Sequence, residues 1–136
     1  IEQPAKVGHH FAEGRMIVYL AMAALTQASV DAEYAADTGC ENYRDGSTIA
    51  IAECLKEQAE TWEKRLNAQY QIVISRGEID KKALQNAQRA WLRYRVANCG
   101  AYYTVSGSIR TILVEQCWRD MTRKRTLELK EMSWTG

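Results

Sequence analysis

The sequence predicts an all-α fold, a small antiparallel bundle of three to four helices tied by two disulfide bonds. Three segments carry apolar residues at spacings of three or four, and no segment alternates with a period of two over the length of a strand. The four cysteines lack the C-x-x-C spacing and the nearby histidines of a zinc site. An even cysteine count in a small domain favours disulfides and an oxidising compartment. Reduced, buried cysteines in a cytosolic bundle are the alternative.

The chain has one main domain, because its 136 residues contain no linker rich in proline, glycine and serine. The predicted division is an N-terminal extension at residues 1–38 and a helical domain at residues 39–136. A net charge of +1 gives no electrostatic reason to expect binding to nucleic acid or to an acidic membrane surface.

The N-terminal extension contains a signal-like segment at residues 16–32. Its apolar run is too short to span a membrane, and Val30-Asp31-Ala32 has the small-residue pattern of a cleavage site. No lysine or arginine follows Met16 to form a basic leader, so a buried N-terminal helix stays the alternative. Asp37-Thr38-Gly39 before Cys40 does not match a lipidation motif, and we expect no membrane anchor.

The first predicted helix begins at Ser47 or Thr48, either of which can cap it, and ends at Gly77. Charged side chains fall mostly on one side of this helix. The opposite side is the predicted inner face, formed by Ile51, Leu55, Ala59, Trp62, Leu66, Tyr70 and Val73.

The second predicted helix starts near Asp80 and ends near residues 104–107, where β-branched residues and a glycine interrupt the pattern. Its predicted inner face is Leu84, Ala87, Trp91, Tyr94, Ala97 and Ala101. The third helix opens at Ser108, and its predicted inner residues are Ile109, Ile112, Leu113, Cys117, Met121 and Leu129. Basic residues in its C-terminal half suit a solvated helix end, with an anion site as the alternative: Arg119, Arg123, Lys124, Arg125 and Lys130.

Four cysteines allow three disulfide pairings. Cys99 and Cys117 stand at comparable distances from Gly107 on the two arms of a helical hairpin, so antiparallel packing can bring them side by side. The remaining pair, Cys40–Cys54, would then tie the N-terminal loop to the start of the first helix.

The segment from Leu84 to Arg125 carries a set of spaced residues that recur together. It includes Gln88-Arg89-Ala90-Trp91, Tyr94-Arg95, Cys99, Gly107-Ser108, Cys117, Thr122 and Arg125, and upstream come Cys40, Cys54 and Leu66-Asn67-Ala68-Gln69-Tyr70. With this set, the chain resembles the LprI-like lysozyme inhibitors, small secreted bacterial helical domains, over residues 40–129. The resemblance implies inhibition of a host or rival lysozyme, and it implies the same local disulfide pairing. The matched positions without cysteine that we expect to be structural are Leu66, Asn67, Tyr70, Gln88, Arg89, Trp91, Tyr94, Arg95, Thr122 and Arg125.

The residues do not predict an enzyme. The helical domain has no histidine, so it cannot form a Ser-His or Cys-His nucleophile pair. Its carboxylates fall on exposed helix faces, which disfavours a glycosidase with two carboxylates. No glycine-rich phosphate-binding motif occurs. We therefore expect no catalytic residues, no cofactor and no bound metal.

The aromatic residues are candidates for both core packing and binding. Helical spacing favours core packing for Trp62, Tyr70, Trp91 and Tyr94 over a carbohydrate platform. Trp118 and Tyr103 lie off the predicted inner faces, which makes them candidate anchors at an interface. Two flanking arginines, Arg89 and Arg95, are expected to pair with carboxylates of the first helix, or alternatively to bind a carboxylate of a partner.

These patterns favour a protein-binding domain in the periplasm or outside the cell. The resemblance implies that its partner is a lysozyme, and the expected mechanism is occlusion of the cleft by a loop. The candidate loop is Ser106-Gly107-Ser108, followed by Arg110. Two alternatives stay open: an immunity-type protein that neutralises a delivered toxin-like enzyme, and an envelope scaffold that binds no enzyme.

Overall fold

The computed structural model describes residues 39–133, and in them the chain forms three long helices and no strand. The predicted all-α bundle is therefore confirmed. The N-terminal extension, with its signal-like segment at residues 16–32, lies outside the described residues. A 3-10 helix precedes the first long helix, and a second one follows the second long helix. The elements in chain order are a 3-10 helix Cys40–Asn42, α1 Thr48–Arg76, α2 Lys81–Gly100, a 3-10 helix Ala101–Thr104, and α3 Ile109–Met132.

Local capping chemistry sets the predicted bounds of α1 and α2. The Ser47 hydroxyl accepts a hydrogen bond of 3.2 Å from the backbone N–H of Ala50, which satisfies one free donor at the start of α1. Gly77 ends the helix with a φ of 71°, a conformation that other residues adopt only at a cost. Asp80 caps α2 in the same way through the N–H of Ala83, at 2.8 Å.

Successive helices run antiparallel, so α1 and α3 run in the same direction. Gln58 contacts Arg119, and further along both helices the amide of Gln69 donates to the hydroxyl of Ser133 at 3.0 Å. The packing of α1 against α3 is the most extensive in the described part of the chain. Helix α2 lies along this pair and shares less surface with it.

The apolar core consists of two clusters at opposite ends of the bundle. One cluster joins all three helices and consists of Leu66, Val73, Leu84 and Leu129, with Trp91 and Tyr70 packed against it. The other joins the N-terminal 3-10 helix to α1 and consists of Cys40, Cys54 and Leu55, with Ile51 and Ile112 alongside. The predicted inner face of α1 is confirmed, since Leu55, Trp62, Leu66 and Val73 are buried and the other predicted members are half-buried or buried.

The predicted inner face of α2 is wrong in most of its members. Ala87, Tyr94, Ala97 and Ala101 are exposed, and Tyr94 keeps 60% of its surface in solvent. The side chains that α2 buries are those of Leu84, Arg95 and Cys99. The physical reason is that an ion pair at Arg95 and a disulfide at Cys99 hold that side of the helix against its neighbours.

The predicted inner face of α3 is also partly wrong. Ile109 is 48% exposed, and Ile112, Leu113, Cys117 and Met121 are only half-buried, whereas Leu129 is fully buried as predicted. The other buried residues of this helix are Val114, Thr122, Arg125 and Thr126. The two threonines tolerate burial because each hydroxyl donates to a carbonyl four residues earlier, at 2.6 Å and 2.8 Å.

Both predicted disulfides are confirmed. Cys40–Cys54 and Cys99–Cys117 have Cα–Cα distances of 5.6 Å and 5.5 Å, within the usual range for a disulfide. The first bond fixes the N-terminal 3-10 helix to α1. The second joins α2 to α3 across their hairpin, close to the loop that connects them.

Replacement of Trp62 by alanine should lower the free energy of unfolding by about 3–5 kcal/mol, because the Trp62 side chain is completely buried. The Trp91→Ala variant should lose less, since Trp91 is only half-buried. Urea unfolding followed by circular dichroism measures both losses. A Trp62→Ala variant as stable as the wild type would contradict the packing described above.

Candidate functional site

A buried arginine joins the three helices at the centre of the bundle. Arg95 of α2 donates from Nη1 to Glu63 Oε2 of α1 at 2.5 Å, and to Thr122 Oγ1 of α3 at 2.9 Å. Its guanidinium also lies 4.6 Å from the ring centroid of Trp91 and 4.5 Å from that of Trp118. Arginine suits this position because its planar cation can stack on aromatic rings and donate hydrogen bonds in its own plane.

The pairing of Arg95 with Glu63 is asymmetric in burial. The Arg95 side chain is 7% exposed, whereas that of Glu63 is 39% exposed and borders solvent. The pair lies at a cleft of about 370 Å³ between α1 and α3, lined by Lys56, Ala59, Glu60, Glu63, Arg95, Glu115, Trp118 and Thr122. Removal of Arg95 would leave a half-solvated carboxylate, whereas removal of Glu63 would leave a buried cation. The unpaired buried cation costs more free energy than the unpaired, partly solvated carboxylate.

The sequence predicted that the basic residues of α3 form a solvated helix end. This prediction is wrong. The Arg125 side chain is 9% exposed, donates from Nε to Gln88 Oε1 at 3.0 Å, and pairs with Glu128. Arg119 is 14% exposed and donates to Gln58 and Asp120. Arg123 is half-buried beside the Trp62 ring. These arginines cross-link the helices, and of the five predicted basic residues only Lys124 is exposed.

Five of the residues that carry the family resemblance line one groove between α1 and α2. This groove has a volume of about 310 Å³ and is lined by Glu63, Leu66, Asn67, Tyr70, Gln85, Gln88, Arg89 and Leu92. Beneath it, Arg95 and Arg125 hold the two polar networks described above, with Thr122 as a partner of Arg95. Eight of the matched positions therefore lie in or next to this region, whereas Cys40, Cys54 and the Gly107-Ser108 turn lie elsewhere.

Burial raises the pKa of the Glu115 carboxyl above its usual range, at the edge of the α1–α3 cleft. The nearby Lys56 opposes this rise, and the carboxylate of Glu60 adds to it. The cleft thus holds a carboxyl that takes up a proton more readily than an ordinary glutamate. In the described part of the chain no group of three histidine, cysteine, aspartate or glutamate side chains is placed to hold a metal ion.

The loop between α2 and α3 projects from the end of the bundle. We call residues 102–110 the tip. Tyr103 is 61% exposed, and residues 106–110 are all exposed. Gly107 has a φ of 84°, which a residue with a side chain adopts only under strain. Ser108 occupies the N-cap position of α3, yet its hydroxyl makes no capping hydrogen bond.

The other predicted binding residues lie in different surroundings. Trp118 is half-buried in the α1–α3 cleft, because the guanidinium of Arg95 covers its ring. Arg95 pairs with Glu63 of α1, which is the arrangement expected for this residue. Arg89 is exposed at the edge of the groove and forms no ion pair with any carboxylate in residues 39–133.

Charge is unevenly distributed along the chain, although the net charge is only +1. Residues 81–114 contain six lysines and arginines and no aspartate or glutamate. This stretch covers α2, the tip and the first residues of α3. The same region holds six of the eight large hydrophobic side chains that are exposed in the described residues. Counting charge segment by segment would have found the first of these features from the sequence.

The comparison with protein families decides the relationship that the resemblance suggested. Residues 40–129 match the family described as "Lysozyme inhibitor LprI". The chain belongs to this family. An uncharacterized protein of Rhizobium meliloti (strain 1021) is 34% identical over 95 residues, a match that covers 58% of this chain and 68% of that one. No solved structure matches the chain.

Membership in the LprI family implies lysozyme inhibition in general and a protein partner such as lysozyme. The family is one of inhibitors and not of enzymes, and its members are usually extracytoplasmic. Within residues 39–133, none of the helices has the length and apolar character needed to cross a membrane.

Replacement of Arg95 by alanine should lower the free energy of unfolding by about 3 kcal/mol, because it removes a large buried side chain that packs between two tryptophans. Arg95→Lys should recover only part of this loss, since an ammonium group cannot stack as the planar guanidinium does. The matched control is Arg93→Ala, an exposed arginine on the same helix, which should change stability by less than about 0.5 kcal/mol. Equal urea midpoints for Arg95→Ala and Arg93→Ala would contradict the central role of Arg95.

Replacement of Glu115 by glutamine should stabilise the protein at about pH 7 and have little effect at about pH 3. The folded state raises the pKa of this carboxyl, so it binds the proton more tightly than the unfolded state does. Stability is therefore lost as the pH rises from the ordinary glutamate range through the raised pKa, and glutamine, which stays neutral, avoids this loss. Urea unfolding at the two pH values measures the difference, and a benefit confined to acidic pH would contradict the assignment.

Proposed function

We propose that this protein inhibits a lysozyme by inserting the tip into the substrate cleft of the enzyme. The observation that carries the proposal is an exposed turn at the end of a disulfide-linked hairpin, with a cation at Arg110 and no carboxylate within it. Family membership supplies the class of target. The tip supplies a shape and a charge that suit a concave, acidic site.

The chemistry of the tip fits the catalytic centre of a glycosidase. Such an enzyme places two carboxyl groups on either side of the bond that it cleaves. The Arg110 guanidinium can donate two parallel hydrogen bonds to one carboxylate, and the hydroxyls of Ser106 and Ser108 can donate to polar groups nearby. Gly107 keeps the turn narrow because it has no side chain. Occupation of the cleft by these groups would exclude the polysaccharide.

Backbone hydrogen bonds and a nearby disulfide constrain the shape of the tip, which supports tight binding. Backbone hydrogen bonds hold it at Val105 N–H to Tyr102 O, 3.1 Å, and at Arg110 N–H to Gly107 O, 3.4 Å. The Cys99–Cys117 disulfide joins the two helices just below it. A loop that is already shaped loses less conformational entropy on binding than a flexible one.

Aromatic residues beside the turn provide contacts for the rim of the cleft. Tyr102 and Tyr103 are 38% and 61% exposed, and tyrosine is frequent among residues that dominate binding energies. Trp118 lies farther back, in the α1–α3 cleft under Arg95, so in this proposal it acts mainly by holding the scaffold.

The proposed location is the periplasm or the extracellular space. Two disulfides favour an oxidising compartment, and residues 16–32 have the pattern of a secretory signal. In this proposal residues 1–38 direct export, and residues 39–136 are the inhibitory domain. Export would place the inhibitor where it meets a lysozyme before the enzyme reaches the cell wall.

Replacement of Arg110 by alanine should raise the inhibition constant about tenfold or more, since a carboxylate of the enzyme would lose its charged partner. Ser108→Ala should raise it by a few-fold, through loss of one hydrogen bond. The measurement is hydrolysis of bacterial cell walls by a c-type lysozyme at increasing inhibitor concentration. Neither change should lower stability, because Arg110 is exposed and the Ser108 hydroxyl caps nothing.

Lys124→Ala is the matched control, since Lys124 is an exposed cation of α3 away from the tip. It should inhibit like the wild type. If Arg110→Ala and Ser108→Ala also inhibit like the wild type, the tip is not the inhibitory element. A wild-type protein that inhibits no lysozyme would refute the proposed function itself, and recovery of a different enzyme from envelope lysate would then favour an immunity-type role.

A further inference from the structure

The side of α2 that faces away from Arg95 forms a continuous exposed stripe. Its members on α2 follow one another at spacings of three or four residues, so they share one helical face, and one further member lies seven residues beyond the last of them. Each of them is exposed: Lys82, Asn86, Arg89, Arg93, Val96 and, in the following 3-10 helix, Tyr103. We call this set the outer stripe. It runs from the start of α2 into the tip.

The charge of the outer stripe is not neutralised within the described residues. Lys82, Arg89 and Arg93 form no ion pair there, and the segment 81–114 has no carboxylate of its own. Several other arginines of the bundle are paired, including Arg44 with Glu53 and Arg76 with Glu78. Three cations that form no ion pair within residues 39–133 therefore lie on one face of α2, in a segment that has no carboxylate to balance them.

The same surface is rich in exposed apolar and aromatic side chains. Val96 and Tyr103 of the stripe are 58% and 61% exposed, and Leu92 is 37% exposed beside it. Protein interfaces are enriched in tyrosine and arginine and depleted in aspartate and glutamate. This composition distinguishes the outer side of α2 from that of α1, where exposed glutamates include Glu53, Glu57 and Glu60.

The size of the tip gives an independent reason to expect a second contact. A stable protein complex usually involves about 20–30 residues on each side, and the tip has nine at most. The rest of the interface must come from the surface of the protein next to the tip. On the α3 side the chain continues to Glu115 and Asp120, which an acidic cleft would repel. On the α2 side it continues along the outer stripe.

We infer that the outer stripe of α2 is a second docking surface, and that its occupant is an acidic protein surface next to the cleft of the inhibited enzyme. Such a surface would carry aspartate or glutamate against Arg89 and Arg93, and an apolar side chain against Val96. At 1.5 Å per residue, the contact extends roughly 20 Å from Tyr103 back to Arg89. This inference rests on the proposed function.

The test is a double charge reversal, Arg89→Glu with Arg93→Glu, compared with Lys64→Glu with Lys124→Glu. Both pairs are exposed and change the net charge equally, but the second pair lies outside the stripe, on α1 and α3. The inhibition constant against a c-type lysozyme is measured at low and at high salt. At low salt the inhibition constant of the stripe variant should rise roughly tenfold or more, and that of the control should stay within about twofold of the wild-type value. The gap should narrow as salt screens the charges.

Arg93→Glu alone serves as a second variant, because Arg93 does not line the groove between α1 and α2 and its reversal should leave the fold intact, as circular dichroism would show. This single variant should show part of the loss of inhibition that the double variant shows. If both stripe variants inhibit as well as the control, the second docking surface does not exist, while inhibition by the wild type would leave the proposed function standing. Failure of the wild type to inhibit would remove the proposed function first, and the inference with it. Wild-type binding to phosphatidylglycerol vesicles that the stripe reversal abolishes, with inhibition unchanged, would assign the stripe to lipid and overturn the inference.

Discussion

The stack of Trp91, Arg95 and Trp118 is the interaction on which the rest of the bundle depends. It links α2 to both other helices through one side chain, with Glu63 and Thr122 as hydrogen-bond partners. Helix α2 contributes few apolar residues to the core, since only Leu84 and Cys99 are its buried hydrophobic residues. A helix with so little apolar burial is held by directional contacts. Arg95 and Cys99 are four residues apart, so they fix one face of α2 inward and determine which face meets solvent.

This arrangement gives the family positions a structural explanation. Arg95, Thr122 and Arg125 are buried and bonded to partners on other helices or on their own. They set the rotation of α2 and its distance from α1 and α3, and they do not reach a partner protein directly. A buried cation is costly unless it is paired, so these positions depend on one another. Recognition of an enzyme must then come from surfaces that these residues orient.

Local features of the sequence predicted the helix bounds and the disulfides, whereas the rotation of α2 could not be predicted. Ser47 and Gly77 act on their own helix ends, and the hairpin geometry brings two cysteines together whatever the side chains do. Amphipathic patterning, however, assigns tyrosine inward and arginine outward. Here Arg95 is buried and Tyr94 is exposed, because two tryptophans from different helices make a site for the guanidinium. That site exists only in the folded protein. The tip was predicted as an exposed loop, but the outer stripe was missed because charge was averaged over the chain.

Helix α2 separates stability from recognition on its two sides. Its inner side carries Arg95 and Cys99, and a change there alters the packing of all three helices. Its outer side carries Arg89, Arg93 and Val96, which are exposed and contribute little to the stability of the fold. Substitutions at exposed positions usually change stability by less than about 0.5 kcal/mol. In the proposed complex, substitutions on the outer side change the contacts with the enzyme, while the inner side keeps the tip at the same place and angle. A small bundle can in this way serve different targets without a change of fold.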